Sequence, residues 1–387
     1  MSVTDPFVLA ARPAAHFGVG SVAKLPALVA ETGAAGVLVV TDEALAATPV
    51  VAAVLGVLEE AGMPAGVFSG VHPNPTTEDI AAGAAAAAAP PGARVTLVAV
   101  GGGSPIDAAK GIAIAAVNPE RGRDLDYRNR FAAPALPIVA VPTTAGTGAE
   151  TNAFGVVTDP AARRKFYVGH PSAMPAAAIL DPALTVGLPP PVTAATGMDA
   201  LTHALESYLS RRANPWSDGI ALQAIRMVAA HLPRACADGA DLEARSQLLL
   251  AAHLAGVAMA GTGLGICHAI GHSLGGRWGI AHGVALSAVL PAVLRFNLPA
   301  RVPRLADIAF ALGAGDSHAG AERNAAAAIE AVAALRDRVG LAGPLAGLGV
   351  AEPGFAAVAA DALADEVLAN TPRAPTGADI AAILRAS

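Results

Sequence analysis

Five residues in the second half of the chain have side chains suited to binding a metal: Asp199, His203, His268, His272 and His282. They lie in Gly197-Met198-Asp199-Ala200-Leu201-Thr202-His203, in Cys267-His268-Ala269-Ile270-Gly271-His272 and in Ala281-His282-Gly283. Asp199 and His203 are four apart, and so are His268 and His272. On a helix that spacing puts both side chains on one face, with Cβ atoms about 5–6 Å apart. Two such pairs can close around one ion, and a carboxylate with imidazoles suits Fe(II), Zn(II) and similar first-row ions. Spacing alone leaves the membership open, because His272 is as well placed as its neighbours. Cys267 adjoins His268 but points about 100° away around a helix, so it reads as packing. His231 and His253, isolated on Ala-rich helices, read as ordinary core or surface residues.

These side chains need helices to hold them, and from about residue 185 nearly the whole chain has helical Ala/Leu periodicity. The first half is different. β-Branched runs at 36–40, 95–100 and 137–141 end in Gly, Thr or Asp, and helical segments such as 50–60 and 104–116 lie between them. Strands alternating with helices imply βαβ units and a parallel sheet. The reading is an α/β dinucleotide-binding domain with a Rossmann-like parallel sheet over 1–187, followed by an all-α metal-binding domain over 188–387. Leu188-Pro189-Pro190-Pro191 marks the boundary. No internal repeat is present.

Two loops in the first half suit phosphates. The run 95–100 leads into Gly101-Gly102-Gly103-Ser104-Pro105-Ile106-Asp107 and then an Ala-rich helix. Glycines let a backbone approach an anion closely, and free N–H groups at a helix start favour its charge. Here Ser104 reads as the N-cap, Pro105 as the first helical residue and Asp107 as the capping-box acid. A well-capped helix after a tight turn would look the same, and the pattern is not G-x-G-x-x-G. The second loop, Pro142-Thr143-Thr144-Ala145-Gly146-Thr147-Gly148-Ala149-Glu150, offers hydroxyls and N–H groups at a strand's carboxyl end, where ligands bind in open α/β sheets. Two such loops point to a dinucleotide. Asp42 ends an earlier strand; it suits a ribose 2′-OH, favouring NAD(H) over NADP(H), and equally suits the N-cap of the next helix.

Bulk properties exclude several classes. Among 387 residues, 54% are hydrophobic and only 14% charged, but alanine inflates the apolar share. No continuous Leu/Ile/Val/Phe stretch is long enough to cross a bilayer, so no membrane is expected. The start, Met1-Ser2-Val3-Thr4-Asp5-Pro6, lacks a basic region followed by an apolar core, which argues against a secretory signal. The net charge is −6 with no basic run of five, so nucleic acid is not an expected partner. The densest basic cluster is Arg163-Arg164-Lys165. Two cysteines make no disulfide framework and fit a reducing cytoplasm.

With these segments together, the chain resembles the iron-containing (group III) alcohol dehydrogenase family over nearly its whole length. The resemblance rests on His16-Phe17-Gly18-Val19-Gly20-Ser21, Val39-Val40-Thr41-Asp42 and His72-Pro73-Asn74-Pro75-Thr76. It continues through the two phosphate loops, the Asp199 and His268 segments, and the tail Asn370-Thr371-Pro372-Arg373, which is similar to the family's closing Asn-Pro-Arg with one residue inserted. The resemblance implies a dehydroquinate synthase-like fold with the active site in the cleft between two domains, and a homodimer or higher homo-oligomer. It implies metal ligands at Asp199, His203, His268 and His282, with His272 as a further active-site histidine beside the nicotinamide. Cofactor contacts carry over to Asp42, Asn74, Gly102, Gly103, Ser104, Asp107, Thr143, Thr144, Thr147 and Lys165. Where the family often has Pro and a bulky apolar residue, this chain has Ser273 and, a little further on, Arg277.

The expected chemistry is reversible, metal-dependent hydride transfer between NAD(H) and a small primary alcohol or aldehyde. Fe(II) is the expected ion, with Zn(II) as a substitute. Arg277 would suit an anionic aldehyde carrying carboxylate or phosphonate, unless it is spent in a salt bridge. A relative that reduces a dicarboxylate, maleylacetate reductase, is the alternative: Cys267-His268 and Leu274-Gly275-Gly276 resemble that branch, whereas Asp199 and Ala145-Gly146-Thr147-Gly148 depart from it. A catalytically silent nucleotide-binding protein is the alternative of another class.

Overall fold

β-Branched runs with no polar alternation predict strands covered on both faces, and three such runs form the centre of a sheet. The computed structural model describes residues 13–88, 94–162 and 164–387. The readings of the N-terminal start and of Arg163 lie outside the described residues. The described strands are β1 (Ala14–Phe17), β2 (Gly36–Asp42), β3 (Ala65–Val71), β4 (Val95–Gly101), β5 (Ile138–Pro142), β6 (Phe154–Asp159), β7 (Arg164–Gly169) and β8 (Ala177–Leu180). Six of them form a parallel sheet in the order β1-β8-β5-β4-β2-β3, and β6 pairs antiparallel with β7.

Period-two alternation assigns the two faces. Leu38, Val40, Leu97, Ala99 and Ile138 pack against α4 (Thr77–Ala87) and α5 (Gly103–Ala115) through Ile80, Ile106 and Ile112. Val37, Val39, Val98, Val100, Val139 and Val141 face the other way, onto α1 (Leu25–Glu31) and α3 (Pro49–Glu60), with α2 (Glu43–Ala46) a single short turn after β2. Chain order reverses between β2 and β4. In a doubly wound sheet, the carboxyl ends of such strands are where ligands bind, and Asp42 and Gly101 stand there.

The other unit is helical: α6 (Pro190–Leu209), α7 (Pro215–Ala237), α8 (Leu242–Thr262), α9 (Ile266–Trp278), α10 (His282–Ala311), α11 (Ala321–Arg338), α12 (Phe355–Ala364) and α13 (Gly377–Arg385). Of the described residues, one unit holds those from Pro13 to Thr144 together with Gly148–Val186, and the other holds Ala145–Thr147 with Gly187–Ser387. Prolines at the first turn start α6 and α7, where a missing N–H costs nothing. Helix α10 is long and apolar enough by composition to cross a membrane, but 67% of its most apolar stretch is buried in the protein. It also contains three prolines and a non-helical break at Arg301.

Candidate metal centre and phosphate loops

Helix α6 places Asp199 and His203 on one face, as their spacing requires. The chain turns sharply between α8 and α9, which meet at 106°. Gly265, the N-cap of α9, has no side chain with which to cap the new helix. Glu206, one turn after His203 on α6, does that work. Its Oε2 accepts from Gly265 N–H at 2.9 Å and its Oε1 from Cys267 N–H at 2.7 Å. The same carboxylate accepts from His268 Nδ1 at 2.6 Å. That bond fixes the ring of His268 and leaves Nε2 as its free nitrogen.

Helix α10 supplies the third arm. Its second residue, Gly283, lies so close to α6 that a Cβ there would sit 2.1 Å from Ala195 O. The close approach aims His282 at Asp199. Asp199 Oδ1 then lies 3.4 Å from His203 Nε2, 3.7 Å from His268 Nε2 and 3.7 Å from His282 Nε2. The rings of His203 and His268 stack with centroids 4.7 Å apart. Asp199 Oδ1 and His268 Nε2 are buried and have no hydrogen-bond partner. Ligand bonds of about 2.0–2.2 Å would set donor atoms roughly 3.3–3.6 Å apart around a tetrahedral ion. Asp199, His268 and His282 each bring a donor atom within 4.8 Å of the other two, and His203 Nε2 lies against the same Asp199 oxygen; with two of the atoms buried and orphaned, the group fits a divalent first-row ion.

Electrostatics match this geometry. Burial alone would raise the pKa of Asp199, but the three imidazoles hold it well below the carboxylate range. Burial also opposes ionisation of Glu206, but His268 and the N–H groups of Gly265 and Cys267 outweigh it and keep the carboxyl low. Burial disfavours a charged His268, yet Asp199 and Glu206 raise its pKa to about 9. Desolvation holds His203 and His282 below the usual imidazole range, hence neutral and ready to donate a lone pair. The Cys267 thiol, pushed well up by burial, donates to Leu286 O at 3.7 Å and stays outside the cluster.

His272 stands beside this group. Its ring stacks on His282 with centroids 5.7 Å apart, and its Nδ1 bonds to Asp365 Oδ2 at 2.7 Å. Asp361, one turn earlier on α12, accepts from Ser273 Oγ at 2.7 Å and from Arg277 Nε and Nη2 at 2.5 and 2.8 Å. Of the two readings of Arg277, this arrangement is the salt bridge. Its guanidinium fork is already filled by a carboxylate of the same unit, and Ser273 and Arg277 form one local network.

In the sheet unit the phosphate turn differs from expectation in one respect. The N-cap of α5 is Gly102, not Ser104, so Pro105 is the third helical residue and Asp107 caps nothing. The reason lies one residue earlier. Gly101 has φ +148°, and a Cβ there would meet Pro105 Cγ at 2.5 Å. The chain therefore enters the helix early, with no side chain covering its first N–H groups. That is the exposed amide cluster an anion requires.

The remaining predicted cofactor residues are distributed as follows. Asn74, in the left-handed region at φ 57°, donates its N–H to Ser104 Oγ at 3.3 Å and accepts from Lys165 Nζ at 2.8 Å. Thr158 N–H donates to Pro75 O, which ties that loop to β6. Thr143 N–H donates to Gly101 O, and the Thr144 side chain lies against Gly102. Thr147 groups with the helical unit. Asp42 caps α2 through Leu45 N–H. Asp107 Oδ2 accepts from Val156 N–H at 3.0 Å, and its Oδ1 lies 3.5 Å from Lys110 Nζ. Sequence reasoning missed Glu206, Asp361, Asp365 and Lys110. Only Glu206 carried a signal, since it falls three residues after His203 on the Asp199 face.

Comparison with known proteins agrees with this architecture. Residues 13–182 match the iron-containing alcohol dehydrogenase family, and residues 193–387 match the C-terminal part of the Fe-containing alcohol dehydrogenase family. The chain belongs to the iron-containing alcohol dehydrogenases, a family of oxidoreductases. It is 37% identical to the NAD-dependent methanol dehydrogenase of Bacillus methanolicus, over 96% of this chain and 97% of that one. It is also 37% identical to the lactaldehyde reductase of Escherichia coli K12, over 95% of each. A crystal structure of 1,3-propanediol oxidoreductase superposes with a TM-score of 0.95 at 38% identity, covering 99% of this chain and 100% of that one.

Proposed function

We propose that this chain is a divalent-metal-dependent, NAD(H)-linked alcohol dehydrogenase and aldehyde reductase acting on a small primary alcohol or its aldehyde. The observation that carries this is the convergence of Asp199, His203, His268 and His282, with Asp199 Oδ1 and His268 Nε2 buried and unpartnered. Fe(II) is the proposed resident ion, and Zn(II) suits the same donors. When bound, such an ion supplies Lewis acidity to the substrate oxygen, and the dinucleotide supplies the hydride-exchanging ring.

The chain's own residues do the rest. Asp199 contributes the only negative charge among the four donors, His203 and His282 contribute neutral nitrogen, and His268, whose pKa is raised to about 9, would give up its Nε2 proton when an ion binds. Glu206 keeps the proton of His268 on Nδ1, so that Nε2 is the donating atom. His272 has Nδ1 engaged by Asp365, which leaves Nε2 to take the proton from the substrate hydroxyl or return it. The free N–H groups of Gly103 and Ser104, with Gly102 and the hydroxyls of Thr143 and Thr144, are proposed to hold the pyrophosphate. Asn74 and Lys165, already joined, are proposed to meet a ribose. Asp42 has one oxygen spent on its cap, and the other is proposed to meet a ribose hydroxyl. Asp107 positions the phosphate helix by bonding to β6.

Relatives named as methanol dehydrogenase and lactaldehyde reductase support small substrates. The dicarboxylate alternative loses its cation now that Arg277 is paired with Asp361. The test is a chelator-stripped enzyme reloaded with Fe(II) or Zn(II) and assayed for NAD-linked turnover on a panel of alcohols and aldehydes. Restoration by metal is the expected result. Full activity in the stripped protein, or no turnover on any substrate with metal bound, would overturn the proposal.

A further inference from the structure

The carboxylate of Glu206 has about four lone-pair sites, and the three bonds above fill three of them. Beside it lies a small pocket lined in part by Glu206, Gly265, Asn297 and Thr371, with room of about 10 Å³ for the centre of a water molecule. Thr371 is 1% exposed and Asn297 3%, and both have an unpartnered oxygen, Thr371 Oγ1 and Asn297 Oδ1. A Cβ on Gly265 would lie 2.9 Å from Glu206 Oε1 and 3.4 Å from Thr371 Oγ1, so both oxygens border the same spot beside that glycine. Three buried polar groups around a space the size of one water are the conditions for an ordered internal water. One water satisfies them all: it donates to the Glu206 carboxylate and to Asn297 Oδ1, and it accepts from the Thr371 hydroxyl.

The geometry points to Thr371 as a positioning residue for the metal ligand His268, acting through one buried water and Glu206. The inference rests on the metal-site reading above and goes beyond it, because it ties the C-terminal segment to the site. At one end of that segment Asp365 holds His272 at 2.7 Å. At the other end Thr371 reaches the carboxylate that holds His268. Between them Asn370 Nδ2 donates to Leu264 O at 3.1 Å, at the bend that sets α9 in place. The 3₁₀ turn Glu366–Asn370 thus fastens both histidines from behind.

Two measurements test this. A high-resolution crystal structure of the wild-type protein is expected to show a water within hydrogen-bond distance of Glu206, Asn297 and Thr371. An empty pocket, or direct bonds among the three, overturns the inference. In solution, Co(II) is the probe, with its affinity measured by chelator competition and its ligand field by visible absorption. Thr371→Val keeps the shape and removes the hydroxyl. A ligand partner one bond beyond the carboxylate is expected to cost about three- to ten-fold in affinity, below the range for a direct outer-shell partner. The Co(II) spectrum should shift, and Thr371→Ser should restore both. Wild-type affinity and spectrum in folded Thr371→Val refute the proposal even if the water is present. Failure of the wild-type protein to bind Co(II) at all would instead refute the metal-site reading.

Discussion

Glu206→Gln is the sharpest single perturbation of the site. The carboxylate is buried and accepts three N–H donors, from Gly265, Cys267 and His268, at 2.6–2.9 Å. Glutamine fills nearly the same volume but has only one acceptor oxygen. Whichever way the amide turns, at least one N–H must face an NH₂. A buried donor left without a partner costs about 1–3 kcal/mol, and hydrogen bonds to a charged group are worth about 1.5–3 kcal/mol each. A stability loss of roughly 2–4 kcal/mol is therefore expected, together with a 10–100-fold loss in metal affinity as His268 loses its charged anchor. Urea unfolding of the stripped protein measures the first, and chelator competition with Zn(II) or Co(II) the second. If Glu206→Gln unfolds at the wild-type midpoint and binds metal with wild-type affinity, the capping-and-anchoring argument is wrong.

Other perturbations follow from the same geometry. Gly283→Ala places a methyl 2.1 Å from Ala195 O; backbone atoms cannot yield cheaply, so α10 should retreat, with a stability loss of about 1–3 kcal/mol and weaker metal binding, and unchanged values for both would contradict the close-approach reading. Arg277→Ala should change kcat/KM for neutral and anionic aldehydes by the same small factor, because it removes only a solvent-screened surface pair; a selective tenfold loss on the anionic substrate would favour the substrate-binding reading of Arg277 instead. Asp79 accepts from the N–H groups of Thr76 and His72 and from the His72 ring; burial opposes its ionisation, but these donors prevail and hold its carboxyl below the ordinary value of 3.8. A depressed carboxylate contributes stability above its unfolded pKa and loses it as pH falls through the folded value. Asp79→Asn should therefore cost about 1 kcal/mol near pH 7 and progressively less below pH about 4, and a penalty that stays constant down to pH 2 would contradict the assignment.

The parts of the fold that were legible are those where burial is symmetric. Strands β2, β4 and β5 carry unbroken β-branched runs because helices cover both their faces. Strands β1 and β3 did not announce themselves: they are the sheet's two edges, largely exposed, and β3 contains two glycines. The β6–β7 pair escaped because it is antiparallel and lies outside the βαβ pattern. At the phosphate turn, Ser104 had the right type for an N-cap but the wrong position, since the positive φ of Gly101 advances the helix start. At the metal cluster, i,i+4 spacing exposed both helical pairs. It could not reveal Asp365 or Asp361, which lie 93 and 84 residues from His272 and Arg277. The same distance explains why the sequence left open whether Arg277 meets a substrate or a salt-bridge partner.

The most direct test of the account is a metal titration of stripped protein that records bound Fe(II) or Zn(II) and NAD-linked turnover together, in the wild type and in Asp199→Ala. Turnover is expected to rise in proportion to bound metal up to a single ion per chain, and both binding and turnover to collapse without Asp199. Full turnover in the metal-free wild type, or wild-type binding and turnover in Asp199→Ala, would contradict it.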